Sequence, residues 1–171
     1  MDGALYVAVA GFYADYKDVQ IPGSVACTVN VGGVATPSFC GVVSNAGKAR
    51  FKGLEFESNA RLGRDIFSGG DRLNLQTAIG FIDADYREYI ANIASVPTDV
   101  ADYRRVQNTP KWTASGTLSY NVPVGDGSLY FGSTVSWRSK TYQFEIPNPY
   151  IDQKGYALWD ASLVYTCLLY T

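Results

Sequence analysis

Few residues in this 171-residue chain are equipped for chemistry, and their pattern excludes most reactions. There is no histidine, which removes the usual general base, the hydrolytic triad and most transition-metal sites. Asp83 and Asp85, with Glu88 close by, fall where a strand pattern gives way to a loop. Carboxylates so placed admit a calcium site on paper, although a solvated rim accounts for them more simply. No glycine-rich loop follows a strand and opens a helix, so nucleotide binding has no footing. Net charge is −2 with no long basic run, so nucleic-acid recognition lacks its electrostatic footprint. No catalytic residue, metal or cofactor is expected, and the chain does not read as an enzyme.

The remaining polar side chains must be placed by the elements that carry them. From Lys111 to Val124 the alternation is unbroken: Trp112, Ala114, Gly116, Leu118, Tyr120 and Val122 take one parity, Lys111, Thr113, Ser115, Thr117, Ser119 and Asn121 the other. Successive strand side chains point to opposite faces, so this ribbon has one apolar and one polar side. Soluble strands usually run about 5–6 residues, whereas a tilted membrane-spanning strand needs about 9–11. Trp112 and Tyr120 share the apolar face. At roughly 3.3 Å per residue and a tilt of about 40° their separation rises roughly 20 Å, close to the ~25 Å apolar band between the aromatic girdles of a membrane barrel.

Five further segments read the same way. The first strand is expected over 4–19, with an uncertain phase because both faces are apolar, and a polar, glycine-rich loop over 21–45 follows it. A second strand over 48–62 sets Leu54, Phe56, Ala60 and Leu62 against Gly53, Glu55, Glu57, Asn59 and Arg61. After a turn over 63–70, a third strand over 71–86 sets Leu73, Leu75, Thr77, Ile79 and Phe81 against Arg72, Asn74, Gln76, Ala78 and Gly80. A long loop covers 87–110. The fifth strand, over 129–144, follows a tight turn at Gly125-Asp126-Gly127-Ser128 and sets Leu129, Phe131, Val135 and Trp137 against Tyr130, Gly132, Thr134, Ser136, Arg138 and Lys140. A third loop over 145–155 contains Pro147 and Pro149, and the last strand runs over 156–166.

Connections that alternate long and short are the habit of outer-membrane barrels, with long loops outside and tight periplasmic turns. The expected fold is therefore all-β: a curved antiparallel meander of about six long strands, part of a transmembrane β-barrel. Pairing across the turn after Val124 predicts Val122 opposite Phe131, Leu118 opposite Val135 and Gly116 opposite Trp137, an indole covering a bare glycine. Glu55, Glu57, Arg61, Arg72, Arg138 and Lys140 then become candidate lumen-facing polar residues, able to touch a plug, line a substrate path or simply stand in water. Arg104 and Arg105, in the second long loop, are candidates for anionic lipid head groups or substrate, with a solvated loop the plainer alternative. Cys27 and Cys40 lie in one loop on an oxidising export route, which allows a disulfide; two free thiols are the other possibility. Cys167 is left over.

The residues also resemble a known family, the β-barrel of TonB-dependent outer-membrane receptors. The matching segments, in order, are Gly11-Phe12-Tyr13-Ala14-Asp15-Tyr16-Lys17-Asp18-Val19-Gln20, Asn45-Ala46-Gly47-Lys48-Ala49, Lys52-Gly53-Leu54-Glu55-Phe56-Glu57, Gln107-Asn108-Thr109-Pro110-Lys111-Trp112 and Gly155-Tyr156-Ala157-Leu158. Each is weak alone; the ordered set is specific and covers about residues 5–166. The resemblance implies a barrel of about 22 strands plugged by an N-terminal domain. It also implies the outer membrane of a Gram-negative bacterium, with outer-membrane lipid around the wall. Uptake of a ferric siderophore, haem, cobalamin or oligosaccharide would be driven by TonB through the plug. A passive porin wall and a soluble β-sandwich binding or adhesin-like domain are the alternatives. The plug, the energy-coupling box and a late strand ending in an aromatic are not in this sequence. Met1-Asp2-Gly3 leads straight into a strand without a leader, so the chain reads as a fragment: residues 1–166 a partial receptor barrel, and 167–171 (Cys167-Leu168-Leu169-Tyr170-Thr171) an artefactual tail.

Overall fold

A ribbon that is apolar on one side only needs an extended ladder long enough to keep its parity. The computed structural model, which describes residues 4–45, 47–94 and 96–167, shows that ladder. β1 (Leu5–Lys17), β2 (Gln20–Val31), β3 (Val34–Asn45), β4 (Gly47–Arg64), β5 (Arg72–Ile93), β6 (Val96–Asp99), β7 (Trp112–Val124), β8 (Gly127–Arg138) and β9 (Tyr156–Cys167) follow one another, with a single 3₁₀ turn at Ala101–Tyr103. The wall is the antiparallel meander β1-β4-β5-β7-β8-β9; β6 pairs with the outer end of β5, and β2 with β3 form a two-stranded ladder of their own. The six long strands expected from the alternation are these wall strands.

The sheet has no second layer among the described residues. Their only buried apolar side chains are Ala49, Tyr89 and Val100. Leu118 and Val135, which a soluble sandwich would share in its core, are 39 % and 50 % exposed, and Trp112 is 44 % exposed. A protein in water does not leave such a surface bare, whereas a bilayer asks for it.

Several boundaries differ from the sequence expectation. The segment 21–45, read as a loop, is an arm that prolongs the β1–β4 hairpin. Lys17 faces Lys48, the Val19 N–H donates to the Gly47 carbonyl at 3.2 Å, and Gln20 then faces Asn45. Asp18 and Gly47 take positive φ (56° and 119°) at this junction. The tip turns through Gly32 and Gly33, both at positive φ, the demand of a two-residue type I′ turn. Cys27 and Cys40 are joined across the arm, with Cα atoms 5.7 Å apart. β5 runs on to Ile93 and pairs with β6, so 87–110 is partly ladder. β8 ends at Arg138, and Cys167 closes β9 opposite Gly127; residues 168–171 of the expected tail lie outside the described residues.

The β7–β8 register is corrected by two. Val124 faces Gly127 across Gly125-Asp126, so Val122 meets Leu129, Leu118 meets Ser133, Gly116 meets Val135 and Trp137 meets Ala114. Gly125 carries the positive φ of 56°, and a two-residue turn places the ladder two positions off the longer turn assumed from sequence. The parity of both strands survives, because an even shift keeps every side chain on its face. Gly116 is left uncovered. Gly53 does lie under an aromatic ring: an added Cβ would lie 2.6 Å from the Phe12 ring and run into the Phe81 carbonyl.

The short connection between β4 and β5 is held by one carboxylate. Asp71 is fully buried and accepts the Ile66, Phe67 and Ser68 N–H groups at 2.7, 2.8 and 3.1 Å and the Tyr120 hydroxyl at 2.7 Å. Burial pushes its pKa up, but these four donors outweigh that and hold it at about 2.

Two predictions follow from these contacts. Gly53→Ala should lower stability by about 1–3 kcal/mol, the usual cost of overpacking, read as a lower unfolding midpoint of the detergent-folded protein. Asp71 has a folded pKa below its ordinary 3.8, so its contribution is fully present above that value and disappears as pH falls towards about 2. Asp71→Asn should therefore lower the melting temperature at pH 7, and the gap from wild type should close in acid. A gap that persists there would refute the assignment.

Candidate functional site

The candidate site is a surface, so its geometry is a matter of rows. Where β4, β5, β7, β8 and β9 run side by side, the ladder aligns Glu55, Gly80, Thr113, Arg138 and Tyr156 in one row and Glu57, Ala78, Ser115, Ser136 and Leu158 in the next. Arg61 pairs with Asn74, and Arg72 with Asn121, further down the same face. Five of the six expected polar-face residues are thus brought onto one side. Lys140 is the exception, lying past the end of β8, where its ammonium meets Asp152 at 3.2 Å and sits 4.5 Å from the Tyr142 ring centroid.

This face is hollowed. A depression of about 350 Å³ lies over the Glu55 and Glu57 rows, and another of about 330 Å³ over Asn59, Gln76 and Thr117. The floor of the first is made of small residues, Ala78, Gly80, Thr113 and Ser115. Two carboxylates stand on one bank. Arg138, its guanidinium 5.2 Å from the Tyr156 ring centroid, stands on the other. Three strand spacings of about 4.8 Å put the banks roughly 14 Å apart. Glu55, Glu57, Arg61 and Arg72 make no ion pair among the described residues, which charged groups sustain only beside water or a partner of opposite charge.

The opposite face obeys a different rule. One row reads Val9, Phe56, Ile79, Ala114, Trp137 and Ala157 across all six wall strands. Where hydroxyls intrude they satisfy each other: Ser58 and Thr77 share a hydrogen bond of 2.8 Å, and the Trp159 indole N–H donates to the Ser133 hydroxyl at 2.8 Å. Such pairing is what hydrocarbon demands of polar groups. At the outer end of this face the Phe81 and Trp112 rings meet, tilted by 50°, with centroids 4.6 Å apart. Beyond them charges appear, most of them matched: Lys52 and Lys111 to Asp83, Arg50 to Asp15, Arg87 to Asp85 and Lys48 to Glu88, at 2.6–3.5 Å. The carboxylates considered for calcium are therefore each turned onto a cation. Among the described residues no cluster of metal-ligating side chains is assembled.

Sequence reasoning missed Asp71, Gly53 and Glu145. Glu145 accepts from the Tyr89 hydroxyl at 3.3 Å and the Gln107 amide at 2.9 Å, tying two long loops to β5. Asp71 had a local signal, an acid directly after Gly69-Gly70 and able to accept turn amides; the other two depend on distant partners.

A single antiparallel sheet with an apolar, girdled outer face and a charged, hollowed inner face is a membrane barrel wall. Residues 1–167 match the family model of TonB dependent receptor-like β-barrels, and the chain belongs to that family, one of outer-membrane transport receptors of Gram-negative bacteria. No curated protein and no solved structure matches it.

The face assignment is open to direct test. Val135→Lys, on the central outer row, should cost about 2–4 kcal/mol of folding free energy in a bilayer. Ser136→Lys, one residue on and facing the other way, should cost far less. Equal penalties in urea titrations of the bilayer-folded protein would overturn the two-faced wall.

Proposed function

We propose that this chain is part of the barrel of an active importer, taking up a scarce nutrient (a ferric siderophore, haem, cobalamin or an oligosaccharide) across the outer membrane. In this reading the inner face, with Glu55, Glu57, Arg61, Arg72 and Arg138, faces a wet lumen. Part of it receives a plug domain, through which TonB supplies the energy; further strands pair with the free edges of β1 and β9. The Cys27–Cys40 arm stands on the extracellular side as a covalently braced structural element. The observation that carries the reading is the contrast in charge pairing. Most outer-face charges are matched by a neighbour, while inner-face charges stand open across a groove floored by small residues, as a surface does when something else completes it.

In this reading the role of the wall is to enclose and to present. Two open edges left in lipid would strand backbone donors and acceptors at several kcal/mol each, so transport belongs to the closed barrel.

Deleting the gene should abolish growth of its host on one limiting nutrient among the four classes, and uptake should vanish equally when TonB is removed. Uptake that persists without TonB would replace this reading with a passive porin.

A further inference from the structure

A third recess, of about 690 Å³, is bounded by the outward end of β5, the 101–111 segment and residues 139–142. Its lining holds five cations, Arg87, Arg104, Arg105, Lys111 and Lys140, and three carboxylates, Asp83, Asp85 and Asp102. Three of the cations are committed: Lys111 to Asp83 at 3.5 Å, Arg87 to Asp85 at 3.4 Å and Lys140 to Asp152 at 3.2 Å. The two left over are adjacent guanidiniums without a carboxylate among the described residues. Arg105 spends one nitrogen on the carbonyls of Asp102 and Arg104, at 3.0 and 2.7 Å. The Arg104 guanidinium lies 5.3 Å from the Tyr89 ring centroid, and its Nε–H is buried with no acceptor. The Glu145 carboxylate is engaged by Tyr89 and Gln107 and forms an ion pair with neither arginine among the described residues, although the Glu145 carbonyl accepts the Arg105 N–H at 2.8 Å.

A buried N–H without an acceptor costs about 1–3 kcal/mol, more on a charged group, and native structures keep few of them without a reason. Here the donor belongs to a planar fork built for bidentate oxyanions. It is held in place by stacking on Tyr89, which is itself packed against Val100, Val19 and Tyr86. Tyr86 and Tyr142 line the same space, whose volume suits a small molecule.

We propose that this recess binds an oxyanion through Arg104 and Arg105, with the rest of the ligand lying on Tyr86 and Tyr142. The oxyanion has two natural sources: a soluble carboxylate or phosphate ligand arriving from outside, or the head group of an anionic lipid, since Trp112 stands at the rim of the apolar face. For the soluble source the inference deepens the uptake reading, and rests on it, by making the cargo anionic. Binding itself is independent of transport.

The test uses the intact receptor in non-ionic detergent, titrated calorimetrically with citrate, with inorganic phosphate and with neutral maltotriose. Citrate or phosphate should bind saturably and maltotriose should not. Arg104→Ala should weaken the anion at least tenfold. Arg104→Lys, which keeps the charge and the ring contact but lacks the Nε–H, should fall between. Arg61→Ala, on the inner face, should leave the affinity unchanged, and equal circular dichroism across the variants verifies folding. Phosphatidylcholine vesicles with and without phosphatidylglycerol decide the source: Arg104-dependent competition by the anionic vesicles alone assigns the head group, and its absence assigns the soluble ligand. No anion binding, equal binding of maltotriose, or indifference to Arg104 would overturn the proposal. Loss of TonB-dependent uptake with anion binding intact would count against the importer reading alone; normal uptake with Arg104-independent binding would count against the recess alone.

Discussion

Backbone hydrogen bonding in a medium that offers no substitute is the constraint on which everything else here depends. Water can replace a lost partner; hydrocarbon cannot. An extended chain meets this condition only by pairing along both edges, which accounts for the continuous ladders from β1 to β9 and the length of every wall strand. The same condition governs side chains. The serine, threonine and tryptophan polar atoms on the outer face find one another, Ser58 with Thr77 and Trp159 with Ser133. A sheet built this way has no interior, so a conventional core is absent and stability is carried by the ladder and by a few local clamps such as Asp71 and the Phe12–Gly53 contact.

The two faces divide the labour. Hydrocarbon sets the composition of one, and beyond the Phe81–Trp112 pair most of its charges are neutralised by a neighbour. On the other, carboxylates and guanidiniums are separated by a floor of small residues and left unmatched. Charges arranged so are inexpensive beside water and become specific when another surface supplies the complement. The outer loops follow a third logic. Glu145, Tyr89 and Gln107 knit the segments above β5 into one block, fixing side chains that a free loop would leave mobile.

Much of this was legible in the sequence because parity is a local property. Trp112 to Val122 and Leu73 to Phe81 declare their faces two residues at a time, and no distant contact can reverse them. The register between β7 and β8 was not legible, since any even shift leaves both faces intact; the turn at Gly125-Asp126 decided it through one positive φ. The arm was missed for a different reason. Between Gln20 and Asn45 there is no charged residue, so valine, threonine and serine alternate without the contrast that marks a two-faced strand. The Gly32-Gly33 pair was the overlooked signal of a hairpin. The polar-face residues were found by counting parity, but Lys140 strayed because nothing local announced that β8 stops at Arg138. Glu145 and the Arg104 recess depend on loops meeting across long sequence separations, which periodicity does not encode.

The covalent brace in the arm has one more implication. Cys27 and Cys40 lie on opposite strands of a hairpin whose tip is Gly32-Gly33, and about 12 residues per strand at roughly 3.3 Å each carry that tip some 40 Å from its base. In the importer reading such a mast stands outside the cell, where its tip meets proteases. Scission anywhere between the two cysteines opens a ring and severs nothing, because the crosslink bypasses the broken peptide bond. Damage at the exposed apex is thereby kept from becoming a break in the polypeptide that forms the wall.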